Sequence, residues 1–173
     1  MIYPEEMLLM EKDNKRKTHV FALILSLFIP LLVGGFSAFL TAEDMKIYET
    51  MEKPPLSPPG WLFPIVWTFL YVLMGLASYL IFTSDVSPAR KRGALTFYAA
   101  QLIMNMLWST LFFTYGLYLI SFIWLLVMWV LILVCVVTFY KIRHAPGVMM
   151  LILFLWTTFG AYLNLATYLM QGR

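Results

Sequence analysis

The chain has 173 residues, 62% of them hydrophobic and only 12% charged, about half the charged share of a soluble domain. That excludes an ordinary soluble enzyme and sets the expectation of one compact bundle buried in a bilayer. The net charge of +3 is small, and its single cysteine, Cys135, lies in an apolar run, so an intrachain disulfide is excluded.

Residues 1–19 mix Glu5, Glu6, Glu11 and Asp13 with Lys12, Lys15, Arg16 and Lys17 and read as a mobile cytoplasmic tail. The first apolar run, 20–41, is too long for a signal-peptide core and no small-residue cleavage site follows, so a retained transmembrane helix is expected. Within it Pro30 is a candidate kink, and Gly34, Gly35 and Ala38 a close-packing face. Next comes KPPLSPPG, residues 53–60. Its four prolines, Pro54, Pro55, Pro58 and Pro59, forbid a helix and predict an extended, polyproline-like segment. Trp61 and Trp67 then bracket the start of a second run, 61–83. After SDVSPARKRG there is no charged residue from Gly93 to Tyr140, with a tight break at Tyr115-Gly116. This gives runs 93–114 and 117–140, and a fifth, 147–170, follows a short basic loop. Each run approaches the ~20 residues that cross the hydrocarbon. The expected fold is an all-α integral membrane protein, a five-transmembrane-helix bundle over residues 20–173 behind a tail of 1–19.

Five spans place the termini on opposite sides. Lys12, Lys15, Arg16, Lys17, Arg90, Lys91, Arg92, Lys141 and Arg143 fall on one side, and Lys46, Lys53 and Arg173 on the other. The basic side is cytoplasmic, which puts the N-terminus inside and the proline loop and C-terminus outside. These cations read as topology signals, not as a nucleic-acid surface.

No Asp, Glu, Lys or Arg lies inside any run, which disfavours an ion-coupled carrier. His19 and His144 sit at span ends without a partner series, so no metal site is expected. No Ser/His/Asp or Cys/His cluster offers a catalytic residue. The polar chemistry left is amide, hydroxyl and indole, and it falls at helical spacing: Trp67, Tyr71, Met74, Gly75 and Ser78 on the second span; Gln101, Asn105, Trp108 and Phe112 on the third; Trp156, Gly160, Leu163, Asn164 and Thr167 on the fifth. An amide facing lipid is costly, so these faces turn inward. They either hydrogen-bond helix to helix or line a shared, ring-walled pocket for a planar, largely apolar ligand.

Lys53-Pro54, Pro58-Pro59, Trp61, Trp67, Tyr71 and Met74-Gly75, then QLIMNMLWSTLFF (Gln101 to Phe113) and WTTFGAYLN (Trp156 to Asn164), with Pro30, Gly34-Gly35 and Tyr48 before them, resemble the motifs of the TspO/MBR family. These are the tryptophan-rich sensory proteins and translocator proteins, or peripheral benzodiazepine receptors. The resemblance covers nearly the whole chain. It implies a five-helix bundle, often a homodimer, with a cavity that binds porphyrins such as protoporphyrin IX and heme-like tetrapyrroles, and synthetic isoquinoline carboxamides and benzodiazepines. No obligatory cofactor is implied. By motif the cavity positions are Trp67, Asn105, Trp108, Phe122, Trp156, Phe159, Gly160 and Leu163, capped by Leu56, Pro58 and Pro59. The function implied is a membrane sensory or binding protein, with porphyrin transport and light-dependent porphyrin breakdown as alternatives. Leu56 stands where the family often has a Trp, one proposed participant in that breakdown, so little breakdown is expected. Ile152 replaces a proline common before the fifth-helix Trp. Leu165, Tyr168 and Arg173 fit the loose cholesterol-recognition pattern of the eukaryotic members, a weak signal, and Arg173 reads as an interfacial anchor. The short polar tails point to a bacterial plasma membrane.

Overall fold

The computed structural model describes residues 4–171, without the side chains of residues 4–11 and 47–49. Tyr48 and Arg173 of the motifs above therefore lie outside the described side chains. Five helices account for the regular structure among the described residues: α1 (Pro4–Thr50), α2 (Leu62–Phe82), α3 (Pro88–Ser109), continued by a π-helical segment (Thr110–Thr114), α4 (Tyr118–Tyr140) and α5 (His144–Gln171). Four of them, α1, α2, α4 and α5, are long and apolar enough to cross a membrane. By the same length-and-composition measure α3 is not counted, and it opens on Pro88-Ala-Arg-Lys-Arg.

The first helix departs most from the expected boundaries. Residues 4–19 are not an irregular tail but continue unbroken into the first apolar run, and the helix passes through Pro30 and on to Thr50. Its composition accounts for this. Residues 5–29 hold neither Pro nor Gly and are rich in Glu, Leu, Met and Lys, all good helix formers, and Pro4 is suited to a first turn. Lys17 pairs with Asp13 at 2.6 Å, four residues apart on one face. The helix stops only where the prolines make it stop.

The proline segment also differs from an extended strand. Ser57 N–H donates to Pro54 O at 3.2 Å, closing a turn. Leu56, third in that turn, has φ +65°, a region that β-turns of this kind demand of the third residue and that a leucine rarely takes. Tyr162 Oη donates to Pro55 O at 3.0 Å and so ties the turn to α5. At the other break, Gly116 takes φ +59°, and Leu117 N–H returns to Leu111 O at 3.1 Å. A glycine in the left-handed region at this point is what ends a helix.

α4 packs along α5 and α3, and α2 touches both α1 and α5, while α1 lies against α2, α3 and the π segment. The faces expected to turn inward do so: Tyr71, Met74, Gly75, Ser78, Gln101, Asn105, Phe112, Leu163, Asn164 and Thr167 are buried. Association in lipid rests on close packing, because lipid is as apolar as the side chains it would replace. Here the close approach of α1 to α2 depends on two glycines. A Cβ on Gly34 would lie 2.1 Å from the Tyr71 ring, and one on Gly75 would lie 2.8 Å from Ser26 O and 2.9 Å from Leu27 Cα. Gly35, expected to share that face, meets nothing within 4 Å and is not part of the contact.

Gly75→Ala therefore forces backbone apart, which no rotamer relieves, and is expected to destabilise the protein by about 1–3 kcal/mol. Gly35→Ala has open space and is expected to be neutral or slightly stabilising. Thermal melts of both variants in one detergent check this; an equal Tm for the two would show that the α1–α2 contact is looser than described.

Candidate functional site

A cavity of about 370 Å³ lies at the end of the bundle where α1 finishes, α2 begins and α3 finishes. α1 contributes Gly34, Ser37, Ala38, Thr41 and Met45, spaced as one helical face. α2 and its approach contribute Gly60, Trp61, Phe63, Pro64, Trp67 and Tyr71, and α3 with its π segment contributes Asn105, Trp108, Ser109 and Phe113. One wall is thus made of small residues and the opposite wall of rings.

The polar groups on these walls are almost all engaged. Tyr71 Oη donates to Asn105 Oδ1 at 2.8 Å. The Ser37 and Ser109 hydroxyls bond to one another across α1 and α3, and Thr41 Oγ1 donates back to Ser37 O at 3.0 Å. Just outside, Thr114 Oγ1 donates to Asp44 Oδ2 at 2.6 Å, a second tie between α1 and the end of α3. Asn105 Nδ2 is different: it is buried and donates to nothing. A buried N–H without an acceptor costs on the order of 1–3 kcal/mol, and this one belongs to a residue of the cavity wall.

A second, much smaller void of about 30 Å³ lies on the far side of the same rings. Phe63, Trp67 and Trp108 stand in both walls. Of the sequence-derived site residues, Asn105 lines the larger cavity, while Trp156, Phe159, Gly160 and Leu163 line the small one. Trp67 and Trp108 face both, and Phe122, half-buried on α4, lines neither. The single pocket expected from three facing helices is therefore two spaces divided by indoles. The loop positions also differ from expectation. Gly60 and Trp61 close the cavity edge, Pro58 and Pro59 are in neither wall, and Leu56 is 80% exposed.

The partition has a clear cause. Trp108 Nε1 donates to Asn164 Oδ1 at 3.1 Å, and its ring stacks on Phe112 at 5.3 Å. The Asn164 amide is itself held twice more: Ser121 Oγ donates to Oδ1 at 3.2 Å, and Nδ2 donates to Tyr118 O at 2.8 Å. α3, α4 and α5 meet in this knot, and it fixes the Trp108 indole upright between the two voids. Helix-to-helix bonding thus accounts for Asn164, whereas Asn105 keeps a free donor. What sequence reasoning missed is the α1 wall. Its signal was present: Gly34, Ser37, Ala38, Thr41 and Met45 form a small, hydroxyl-bearing stripe at helical spacing.

Among the described residues no three His, Cys, Asp or Glu side chains gather in a metal-binding group. His19 and His144 are exposed, the latter stacked on Tyr140 at 4.5 Å, and Cys135 is buried.

The TspO/MBR family model matches residues 26–169. The chain is 31% identical over 156 residues to a tryptophan-rich protein TspO of Archaeoglobus fulgidus, covering 89% of this chain and 99% of that one. It is 34% identical over 142 residues to a tryptophan-rich sensory protein of Cereibacter sphaeroides, covering 80% and 87%. To a translocator protein of Ovis aries it is 37% identical over 84 residues, 46% of this chain and 49% of the other.

Removing the knot should loosen the partition without touching the cavity's own polar groups. Asn164→Leu leaves Trp108 Nε1 without its acceptor and takes one of two side-chain donors from Tyr118 O, and is expected to lower stability by roughly 1–3 kcal/mol and to shift tryptophan emission. A melt and an emission spectrum identical to those of the native chain would mean that the indole is held by packing alone.

Proposed function

The chain belongs to the TspO/MBR family, and we propose that it is a membrane sensory or binding protein whose cavity between α1, α2 and α3 takes a planar, mostly apolar ligand of the tetrapyrrole class. The observation that carries this reading is the pairing of ring walls with one buried, unpartnered donor, Asn105 Nδ2. A flat ligand stacks on Trp67 and Trp108, and a carboxylate or carbonyl oxygen on it meets that N–H. Ligand pockets commonly run from ~300 to ~1,000 Å³, so a cavity of about 370 Å³ is at the small end. A two- or three-ring carboxamide fits it as it stands. A full macrocycle requires α1 to seat further out, at the expense of the Ser37–Ser109 and Asp44–Thr114 bonds. Protoporphyrin IX is a ligand in this reading, not a resident cofactor. Breakdown of the porphyrin is disfavoured, because position 56 carries leucine, which is 80% exposed and lines neither space.

The bundle in this reading has five spans. α3 supplies the fifth, with Arg90, Lys91 and Arg92 at the membrane surface and the uncharged residues 93–114 within. The basic ends of the helices then lie in the cytoplasm and the cavity end outside, in a bacterial plasma membrane.

Two measurements test these points. Protoporphyrin IX and an isoquinoline carboxamide are titrated against purified protein by tryptophan quenching. Trp67→Ala is expected to weaken binding about 5- to 150-fold, from lost burial and stacking worth about 1–3 kcal/mol. Asn105→Leu is expected to weaken it roughly three- to tenfold, and Ala38→Phe to abolish it by filling the space. Gly160→Ala, which opens on the small void, should leave affinity unchanged. Native affinity in folded Trp67→Ala, Asn105→Leu and Ala38→Phe would refute the assignment of the cavity. For topology, Leu56→Cys should react with an impermeant maleimide on intact cells and Ser87→Cys should not; the reverse pattern would invert the molecule.

A further inference from the structure

At the opposite end of the molecule from the cavity, a groove of about 530 Å³ runs between the end of α2 and the first turns of α3. Its wall grades from charge to hydrocarbon. Lys91 and Arg92 stand at the start of α3, Leu95 one turn further and Ala99 two turns further, with Phe82 of α2 opposite. At the helical rise, Lys91 to Ala99 spans roughly 12 Å. Lys91 Nζ donates to Phe82 O at 3.0 Å, which fixes the ammonium across the mouth of the groove. Arg90 Nη2 donates to Lys141 O at 3.4 Å and brings the turn that carries Lys141 and Arg143 alongside. Among the described residues none of Arg90, Lys91 and Arg92 forms an ion pair with a carboxylate. Asp85, the one acidic residue in the connection before them, is exposed.

A simple solvated basic surface needs no apolar trough beneath it. A free phosphate would use the two cations but none of Phe82, Leu95 and Ala99, and a neutral lipid would use the trough but leave both cations unmet. We propose that this groove binds one anionic phospholipid, its phosphate on Lys91 and Arg92 and the upper part of an acyl chain on Phe82, Leu95 and Ala99. Basic pockets at the ends of transmembrane helices are suited to such headgroups, each cation near the surface contributing about 1 kcal/mol. The site is separate from the ring-walled cavity, so it stands whether or not that cavity takes a tetrapyrrole.

The test is native mass spectrometry of the full chain in detergent, titrated with dioleoylphosphatidylglycerol or dioleoylphosphatidylcholine. The native chain should retain one phosphatidylglycerol, preferred over phosphatidylcholine by roughly tenfold or more. The double variant Lys91→Gln/Arg92→Gln should lose that preference. Ala99→Trp, an exposed position that keeps both charges and fills the trough, should also lose the bound lipid. Lys141→Gln/Arg143→Gln removes the same charge outside the groove and should retain it. Tm in the same detergent confirms that each variant is folded. Equal retention by the native chain and Lys91→Gln/Arg92→Gln overturns the proposal. So does an equal loss in Lys141→Gln/Arg143→Gln, the signature of diffuse interfacial charge, and so does displacement of the lipid by millimolar inorganic phosphate, the signature of a free-anion site.

Discussion

Tyr71 joins three helices at once. Its ring occupies the notch left by Gly34 on α1, lies 5.6 Å from Trp67 on its own helix, and its hydroxyl donates to Asn105 on α3. In lipid, where apolar burial gives no drive for helices to associate, a close-packed ring and a buried hydrogen bond are what association rests on. The same residue sets the floor of the cavity. By taking Asn105 Oδ1 it orients the amide and leaves Nδ2 as the donor that remains. Phenylalanine at this position would keep the packing but release the amide to turn and find another partner.

The two sides of the bundle are held by different means. α3, α4 and α5 are locked through the Asn164 amide, which accepts from Trp108 and Ser121 and donates to Tyr118 O. α1 is attached by steric fit at Gly34 and Gly75 and by hydroxyl bonds that include Ser37 to Ser109 and to Met106 O, and Thr114 to Asp44. Its remaining surface carries Phe21, Ile24, Phe28, Leu32 and Phe39, all exposed and suited to lipid. The cavity lies in the seam between the knotted helices and the fitted one. That is where a void can persist, since closing it from the α3 side would require the Trp108 indole to leave its bond to Asn164.

Much of this was legible in the sequence, and the limits have physical reasons. Spacing alone told which faces of α2, α3 and α5 turn inward, because an amide or indole in lipid has one favourable direction. Gly116 marked a break, because a tight reversal needs a left-handed residue. Spacing does not say which neighbour an inward face meets. Asn105 and Asn164 read alike as buried amides, yet both polar atoms of Asn164 are engaged and Asn105 Nδ2 is not, a difference set by Ser121 and the Tyr118 carbonyl on α4, where the motifs marked only Phe122. The division of the pocket by Trp67 and Trp108 was hidden for the same reason. Charge marked residues 4–19 as a tail, and the helix they form is legible in the absence of Pro and Gly from 5–19. The turn at Leu56 was hidden because leucine seldom takes a positive φ, and the tie from Tyr162 to Pro55 comes from far along the chain.

The position of the cavity along the bundle follows from residue size on α1 and α2. Near the α2–α3 turn, Gly75 lets the backbones of the two helices touch at Ser26 and Leu27, and no space remains. Toward the first loop, beyond the Tyr71 ring seated on Gly34, α2 carries Trp67 and Phe63, while α1 offers Ser37, Ala38 and Thr41, too short to fill the space beside those rings. A larger residue at Ala38 would fill part of the space, since unfilled volume forfeits packing energy, whereas at Gly34 even a Cβ meets the Tyr71 ring. An apolar void of this kind gives water few partners, and Asn105, a residue of its wall, keeps a buried N–H without an acceptor. Small residues against rings, with the buried Asn105 N–H left without an acceptor, are a poor arrangement for a helix interface. The proposed flat ligand with an oxygen acceptor would suit that arrangement, and its binding would add stability by mass action.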